Sequence, residues 1–456
     1  MKMITPDMVA IAATHDAQSG VTTTPELPAD NNTDQGVPAP ALPEHLPHLA
    51  ETLLSRYSDK PWAHPALLLS ATSALGVCAT GARAQFANGK WHSPTLLSYT
   101  VAPQASGKGD ITELARFIIK AAGIEDRSLP ARTSKPKLCE ELEKIAPKHA
   151  MIISEESDAF ASKEWAMSSV ELRLAFDNDL MGQATMKVDT FEGQVNAYVN
   201  VVFCGTISAL GHLIPQTENG TASRMMLSEL PEQWNEPFCV LQDYTEEQMA
   251  EIHEALAKLV AWHEDAPEAA PAADSEQKES KQEQKESKRV PFLTKVVDLP
   301  RINEMLKEMY NENEREAGLE KDPAIKAFHK RAEIMAFRAA MPWAIIEGGE
   351  TDAVVELARW VANYVLHQQL AYFGRQLRIE TEKNNKKKGS GSPYKYLRTL
   401  DGLGETFSRQ DFITAMERAE CSVKGENVRN KLSTLKKMGL IAEVGVVEGV
   451  MTYRKL

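Results

Sequence analysis

"VAPQASGKGD", residues 101–110, is the stretch on which the reading of the whole chain turns. An apolar run, "TLLSYTVA" (95–102), leads into it, and "DITELARFIIKAAG" (110–123), with apolar residues at helical spacing, leads out. A strand, a tight turn with Gly and Lys, and a helix together form a cradle for phosphate. Backbone amides turn inward, the lysine reaches the terminal phosphates, and the helix N-terminus faces the anion. The predicted phosphate contacts are Ala105, Ser106, Gly107, Lys108, Gly109 and Asp110. Two letters depart from G-x-x-x-x-G-K-[ST]: Ala102 stands at the first glycine, and Gly109 stands where a hydroxyl would meet magnesium.

Working outward, two further apolar runs read as buried strands, "AMIIS" (150–154) and "AYVNVVFCGT" (197–206). With the helical segment "SSVELRLAFDND" (168–179) between them, the pattern is that of a parallel α/β sheet. Glu155 and Glu156 follow the first run, where a magnesium-organising acid (Glu155) and a water-activating base are needed for phosphoryl transfer. Thr206 or Ser208 follows the second, placed to sense the γ-phosphate between the other two strand ends. Arg224, in "ENGTASRMMLSELP" (218–231), suits the charge spread over a transferring phosphoryl group, in cis or from a neighbouring subunit. Each has a plainer reading taken singly: strand ends carry acids because they reach solvent, turns carry hydroxyls, and arginines make salt bridges. Their order along one stretch favours the joint reading.

With these pieces, residues 45 to 375 resemble an uncharacterised bacterial family of P-loop proteins. That family accompanies replication genes of phages, plasmids and conjugative elements and is related to RecA-like and primase-helicase ATPases. The matching stretches are "APQASGKGD", "MIISEESDAF", "LRLAFDND", "VVFCGTIS", "GTASRMML" and "FHKRAEIMAFRAAM". The resemblance implies a RecA-like P-loop NTPase core with a helical extension, taking ATP and Mg²⁺. It implies Lys108 on phosphate, Glu155 and Glu156 serving magnesium and water, and a finger-like Arg224. Arg331 and Arg338, seven residues apart in "RAEIMAFR", are open to a phosphate-sensing role or to packing and salt bridges, and Asp177 lies near without a catalytic role.

The chain has 456 residues, 43% of them hydrophobic, and a net charge of −13, so it is not a protein coated with nucleic-acid-binding charge. The basic excess is regional: residues 384–456 hold 14 Lys/Arg against 8 Asp/Glu, a net of +6. Ser408 before a helix, Gly439 after the next, and a Glu448-Gly449 turn give helices followed by a hairpin, the pattern of a winged helix. Lys424, Arg429, Lys431, Lys436 and Lys437 on its second marked helix, and Arg454 and Lys455 at the end of the wing, are the expected DNA contacts.

The expected organisation is a flexible lead-in (1–43), the ATPase core (44–264), a charged linker or insertion (265–290), a helical extension (291–383), a short linker (384–393) and the winged helix (394–456). No apolar run reaches the ~20 residues that cross a bilayer and the start lacks a signal-peptide pattern, so a cytoplasmic location with no membrane partner is expected. Most of the five scattered cysteines read as reduced core residues. The function expected is an ATP-binding, ATP-hydrolysing, helicase-like DNA-replication protein of a mobile element or prophage. It would act as a homo-oligomer with other replication proteins as further partners. The alternative is a DNA-binding initiator or helicase loader whose nucleotide site does not hydrolyse.

Overall fold

The structure is a computed structural model that describes residues 38–157, 167–183, 193–214, 217, 220–233, 239–263, 295–387, 399–400, 403–418, 425–437, 440–447 and 450–455. Helices α1 (His48–Ser55) and α2 (His64–Cys78) lead to β1 (Ala82–Gln85), β2 (Trp91–His92) and β3 (Leu97–Val101). There follow α3 (Lys108–Ala121), β4 (Ser128–Leu129), α4 (Lys135–Ile145), β5 (Ala150–Ser154), α5 (Ser169–Asp177), β6 (Leu180–Gln183) and β7 (Gly193–Asn196). Then come β8 (Val199–Gly205), α6 (Ile207–Leu213), β9 (Met226–Glu229), α7 (Glu246–Val260) and β10 (Lys295–Val296).

The three apolar runs form the interior of a five-stranded parallel sheet ordered β4-β5-β8-β3-β9. Every residue of β3 and β8 is buried. Successive strand side chains point to opposite faces, so both faces are covered, which is why these strands read as continuous apolar runs and not as alternating ones. The α/β core expected from the sequence is present. Two of its strands escaped the sequence reading: β4 is two residues long, and β9 is a four-residue run opening on Met, with no β-branched residue to mark it.

Helix α2 is buried around almost its whole circumference, from Ala66 to Cys78, as its uniformly apolar and small residues require. Its Gly76 lies so close to the Pro94 carbonyl and the Asn200 amide that a Cβ there would collide with both. Ser73 spends its hydroxyl on the carbonyls of Leu96 and Val201, at 3.1 and 3.0 Å, tying the helix to two strands.

Four long helices complete this part: α8 (Pro300–Glu320), α9 (Pro323–Glu347), α10 (Asp352–Gln369) and α11 (Arg375–Lys387), the last two joined through a π-helical turn, Leu370–Gly374. Residues 384–387, read from sequence as linker, continue α11, which opens on Arg, Gln and Leu, good helix formers. At the other end the expected lead-in reaches the core before residue 44: the Trp360 indole donates to the Pro40 carbonyl at 3.1 Å, and Leu42 packs on the core. The expected linker at 265–290 lies outside the described residues.

The C-terminal part contains β11 (Thr406–Ser408), α12 (Arg409–Arg418), α13 (Gly425–Lys437), β12 (Ile441–Val447) and β13 (Val450–Lys455). Its antiparallel sheet has the order β11-β13-β12 and covers a separate small core that includes Phe407, Phe412, Met416, Val428 and Leu432. Most of 394–400, the start of the expected winged helix, and the Glu448-Gly449 turn lie outside the described residues. Cys78, Cys139 and Cys204 are buried free thiols and Cys239 is half-buried; Cys421 is outside the description. Among the described residues no helix is long and apolar enough to cross a membrane.

Candidate functional site

The chain leaves β3 for β4 and β5 on one side of it, and later places β9 on the other. The C-terminal end of β3 is therefore where strand order reverses, the place where open α/β sheets take ligands. The loop 102–107 occupies that end. It is anchored by the Ala102 amide donating to the Gly205 carbonyl at 2.9 Å, and closed by the Ser106 hydroxyl donating to the Pro103 carbonyl at 2.8 Å. Ala105 and Gly107 both adopt left-handed backbone conformations, φ 60° and 80°. Gly takes this conformation freely, whereas Ala does so at a cost, a strain that concentrates at binding loops. Gly107 is the N-cap of α3; the Asp110 amide donates back to the Gly107 carbonyl at 3.0 Å, while the amides that open a helix have no acceptor within it, so those of Lys108 and Gly109 are turned toward the C-terminal end of β3.

Lys108 opens α3, and its Nζ lies 3.7 Å from Glu156 Oε1. Asp110, also in the first turn, is paired with Lys60 at 2.7 Å, which neutralises an acid that would otherwise repel a phosphate. Glu155 accepts from Thr112 Oγ1 at 2.9 Å and from Arg116 Nη1 at 2.8 Å. The Arg116 hydrogen bond is the main reason its carboxyl sits below the ordinary glutamate range, with Thr112 adding to the effect.

Thr112 is a residue the sequence reading missed. It lies three residues beyond Gly109, hence on the same helix face, and places a hydroxyl against the acid of the neighbouring strand end. The signal available was that spacing, Gly109 to Thr112. Thr206 caps α6 by accepting from the Ala209 amide at 3.2 Å. Because β8 lies between β3 and β5, Thr206 falls between the two other strand ends. Ser208 is in the first turn of the same helix and exposed.

Arg224 is elsewhere. It ends a short 3-10 turn two residues before Met226, the first residue of β9, which is level with Ser98 near the start of β3, while the loop begins after Val101. At about 3.3 Å per residue the two ends are roughly 20 Å apart. Arg224 therefore does not serve the loop of its own chain, which corrects the in-cis role. Its Nε and Nη2 bond Asp177 Oδ2 at 3.1 and 2.7 Å. Arg331 bonds the same carboxylate at 3.3 Å, and Arg338 is buried nearby on the carbonyls of Thr95 and Phe176. Neither Arg331 nor Arg338 stands at the loop.

Among the described residues no group of three or more His, Cys, Asp or Glu side chains is gathered that could hold a metal ion by itself. Glu155, expected to bind magnesium, is already engaged by Arg116 and Thr112.

On the C-terminal part, Val428, Leu432 and Leu435 turn one face of α13 inward, leaving Arg429 and Lys436, seven residues apart, exposed on another. Lys436 is paired with Glu443 at 2.7 Å, and Lys455 Nζ donates to the Leu403 carbonyl at 2.7 Å. Lys431 is half-buried, Arg454 is exposed on β13, and Lys424 and the Lys437 side chain lie outside the description. No protein-family model matches the chain, and no curated protein sequence matches it either.

Proposed function

We propose that the loop 102–110 is a phosphate loop of a RecA-like core that binds ATP, and that the chain hydrolyses it as a helicase-like DNA-replication protein of a mobile element. The C-terminal part, as a winged helix, would hold DNA through Arg429, Arg454 and the lysines of α13. The observation that carries this reading is the position of Lys108: the first residue of a 14-residue helix, at the C-terminal end of β3 where strand order reverses, 3.7 Å from Glu156.

In this reading Lys108 and the first-turn amides of α3 hold the terminal phosphates, and Glu156, released from Lys108 by the incoming phosphate, positions the attacking water. Glu155 is held in place by Thr112 and Arg116 and faces the same end of the sheet. The two carboxylates fit a magnesium ion that arrives with the phosphates and keeps most of its waters, not one caged by protein ligands. Such an ion, when bound, neutralises charge on the phosphate oxygens. Thr206 stays available as a hydroxyl at the neighbouring strand end.

The non-hydrolysing alternative, an initiator or helicase loader, is favoured by one feature, the engagement of Glu155 by Arg116 where a free acid is wanted. DNA-stimulated phosphate release from the wild type, Lys108→Ala and Glu156→Gln proteins separates the two. Release that both substitutions abolish is the expected result. Equal background release from all three, with ATP still bound by the wild type, would leave the loader reading.

A further inference from the structure

At the end of the sheet opposite the loop lies a cleft of about 920 Å³, walled by the β1–β2 hairpin, Asp177 at the end of α5 with the two residues that follow it, and α8 and α9. Five cations line it, Arg83, Lys90, Lys330, Arg331 and Arg338, against the three carboxylates Asp177, Asp179 and Glu333, in a chain whose total charge is −13; of the five, Lys330 is already paired with Glu314. Asp177 and Glu333 each have partners through at least one oxygen, while Glu333 Oε2 is buried with none among the described residues. Asp177 serves both Arg224 and Arg331, and Glu333 accepts from His329 and Asn313.

The guanidiniums of Arg224, Arg331 and Arg338 all approach the ring of Phe176, at 5.8, 5.6 and 4.2 Å, with Asp177 the one carboxylate bonded to any of them among the described residues. Arg338 is 3% exposed, and its Nε has no hydrogen-bond partner among the described residues. Burial brings Arg338 down to about 9, and burial with the nearby Arg224 lowers Arg331. This is the electrostatics of a site short of an anion. His92 is held near 3 by burial and by Arg338, so its ring is neutral. With Nδ1 facing Arg338 Nη2 at 3.2 Å as acceptor, the proton sits on Nε2, a buried donor with no partner among the described residues.

The rim adds stacking surface. Trp91 is 47% exposed, with the Arg83 guanidinium 4.6 Å from its ring centre, and Tyr310 stands on the α8 side of the cleft. Aromatic faces interleaved with cations are the means by which proteins hold unpaired bases along a charged backbone. A free nucleotide presents one cluster of phosphates; here the cations are spread over β1, the hairpin turn and α9, as successive phosphates of a strand would require.

We propose that this cleft binds a single strand of nucleic acid, with a base on Trp91 and consecutive phosphates on Arg83, Lys90 and Arg331. The inference goes beyond the ATP reading and does not depend on turnover at Lys108.

The test uses the full chain. A 12-mer carrying 5-iodo-deoxyuridine is cross-linked by light and the attached peptides are mapped, and anisotropy of labelled dT12 is followed for the wild type, Trp91→Ala and Arg83→Glu/Lys90→Glu proteins. All three substituted residues are exposed, and circular dichroism checks that the variants stay folded. Cross-links within residues 83–92, at least tenfold weaker dT12 binding by the charge variant, and a salt slope reduced by about 1 to 2 are expected, with duplex binding unchanged. Wild-type dT12 affinity in both variants, or cross-links confined to residues 403–455, would overturn the proposal. So would binding of inorganic phosphate or dTMP without binding of the strand.

Discussion

Lys108, Gly107 and Gly109 set the terms at the scale of single residues. Lys108→Ala removes the only cation of the loop and is expected to abolish ATP binding; equal affinity of mutant and wild type by calorimetry would sink the assignment of the loop. Gly107 holds φ 80° at the N-cap of α3, so Gly107→Ala should cost about 1 to 2 kcal/mol, read as a lowered melting temperature. Gly109 has open space where a Cβ would stand. Gly109→Ser therefore fits, and returns the hydroxyl that the loop lacks. About tenfold faster phosphate release, equivalent to about 1.4 kcal/mol of barrier, is the expected effect. An unchanged rate would mean that the Thr112–Glu155 pair already does what that hydroxyl would do. The Lys108 position was legible in the sequence because the strand, turn and helix around it are local. The partners of Glu155 were not, since Arg116 and Thr112 meet it across 39 and 43 residues.

Among the elements, α9 and α11 are joined by one side chain. Asp322 caps α9 by accepting from the Ala324 amide at 2.7 Å, and the same carboxylate, 1% exposed at its side chain, pairs with Arg378 of α11. Asp322→Ala loses a cap and leaves Arg378 without that counter-charge, and should destabilise by about 3 kcal/mol. Thr351→Ala removes only the cap of α10, and about 1 kcal/mol is expected. Urea titration of the two variants checks the order; equal losses would show that the Asp322–Arg378 pair adds nothing. Central strands and long helices were readable because burial on both faces, or on one helical stripe, writes itself into consecutive residues. Strands β4, β9 and β10 were not, because two to four residues carry no period and pair only once the rest of the sheet exists.

For the whole molecule, acid sensitivity follows from what the fold buries. His149 is fully buried against Asn200, and burial lowers it from 6.5 to about 4. The unfolded chain binds this proton near 6.5 and the folded chain only near 4, so the contribution is complete above pH 6.5 and is lost as pH falls toward 4. The loss is on the order of 3 kcal/mol. The urea midpoint should drop across that window, more gently in His149→Gln; a flat wild-type profile would contradict the buried neutral ring. From sequence alone came the parallel α/β core, the loop with its lysine, the helical extension and the basic C-terminal part, since each depends on neighbours in the chain. Only the tertiary structure decided which strand lies beside which, and with that the separation of Arg224 from Lys108 by the length of a strand. It also brought Arg224, Arg331 and Arg338 to one phenylalanine and one aspartate at the far end of the sheet. Such gatherings join residues 47 to 162 positions apart, and no local period records them.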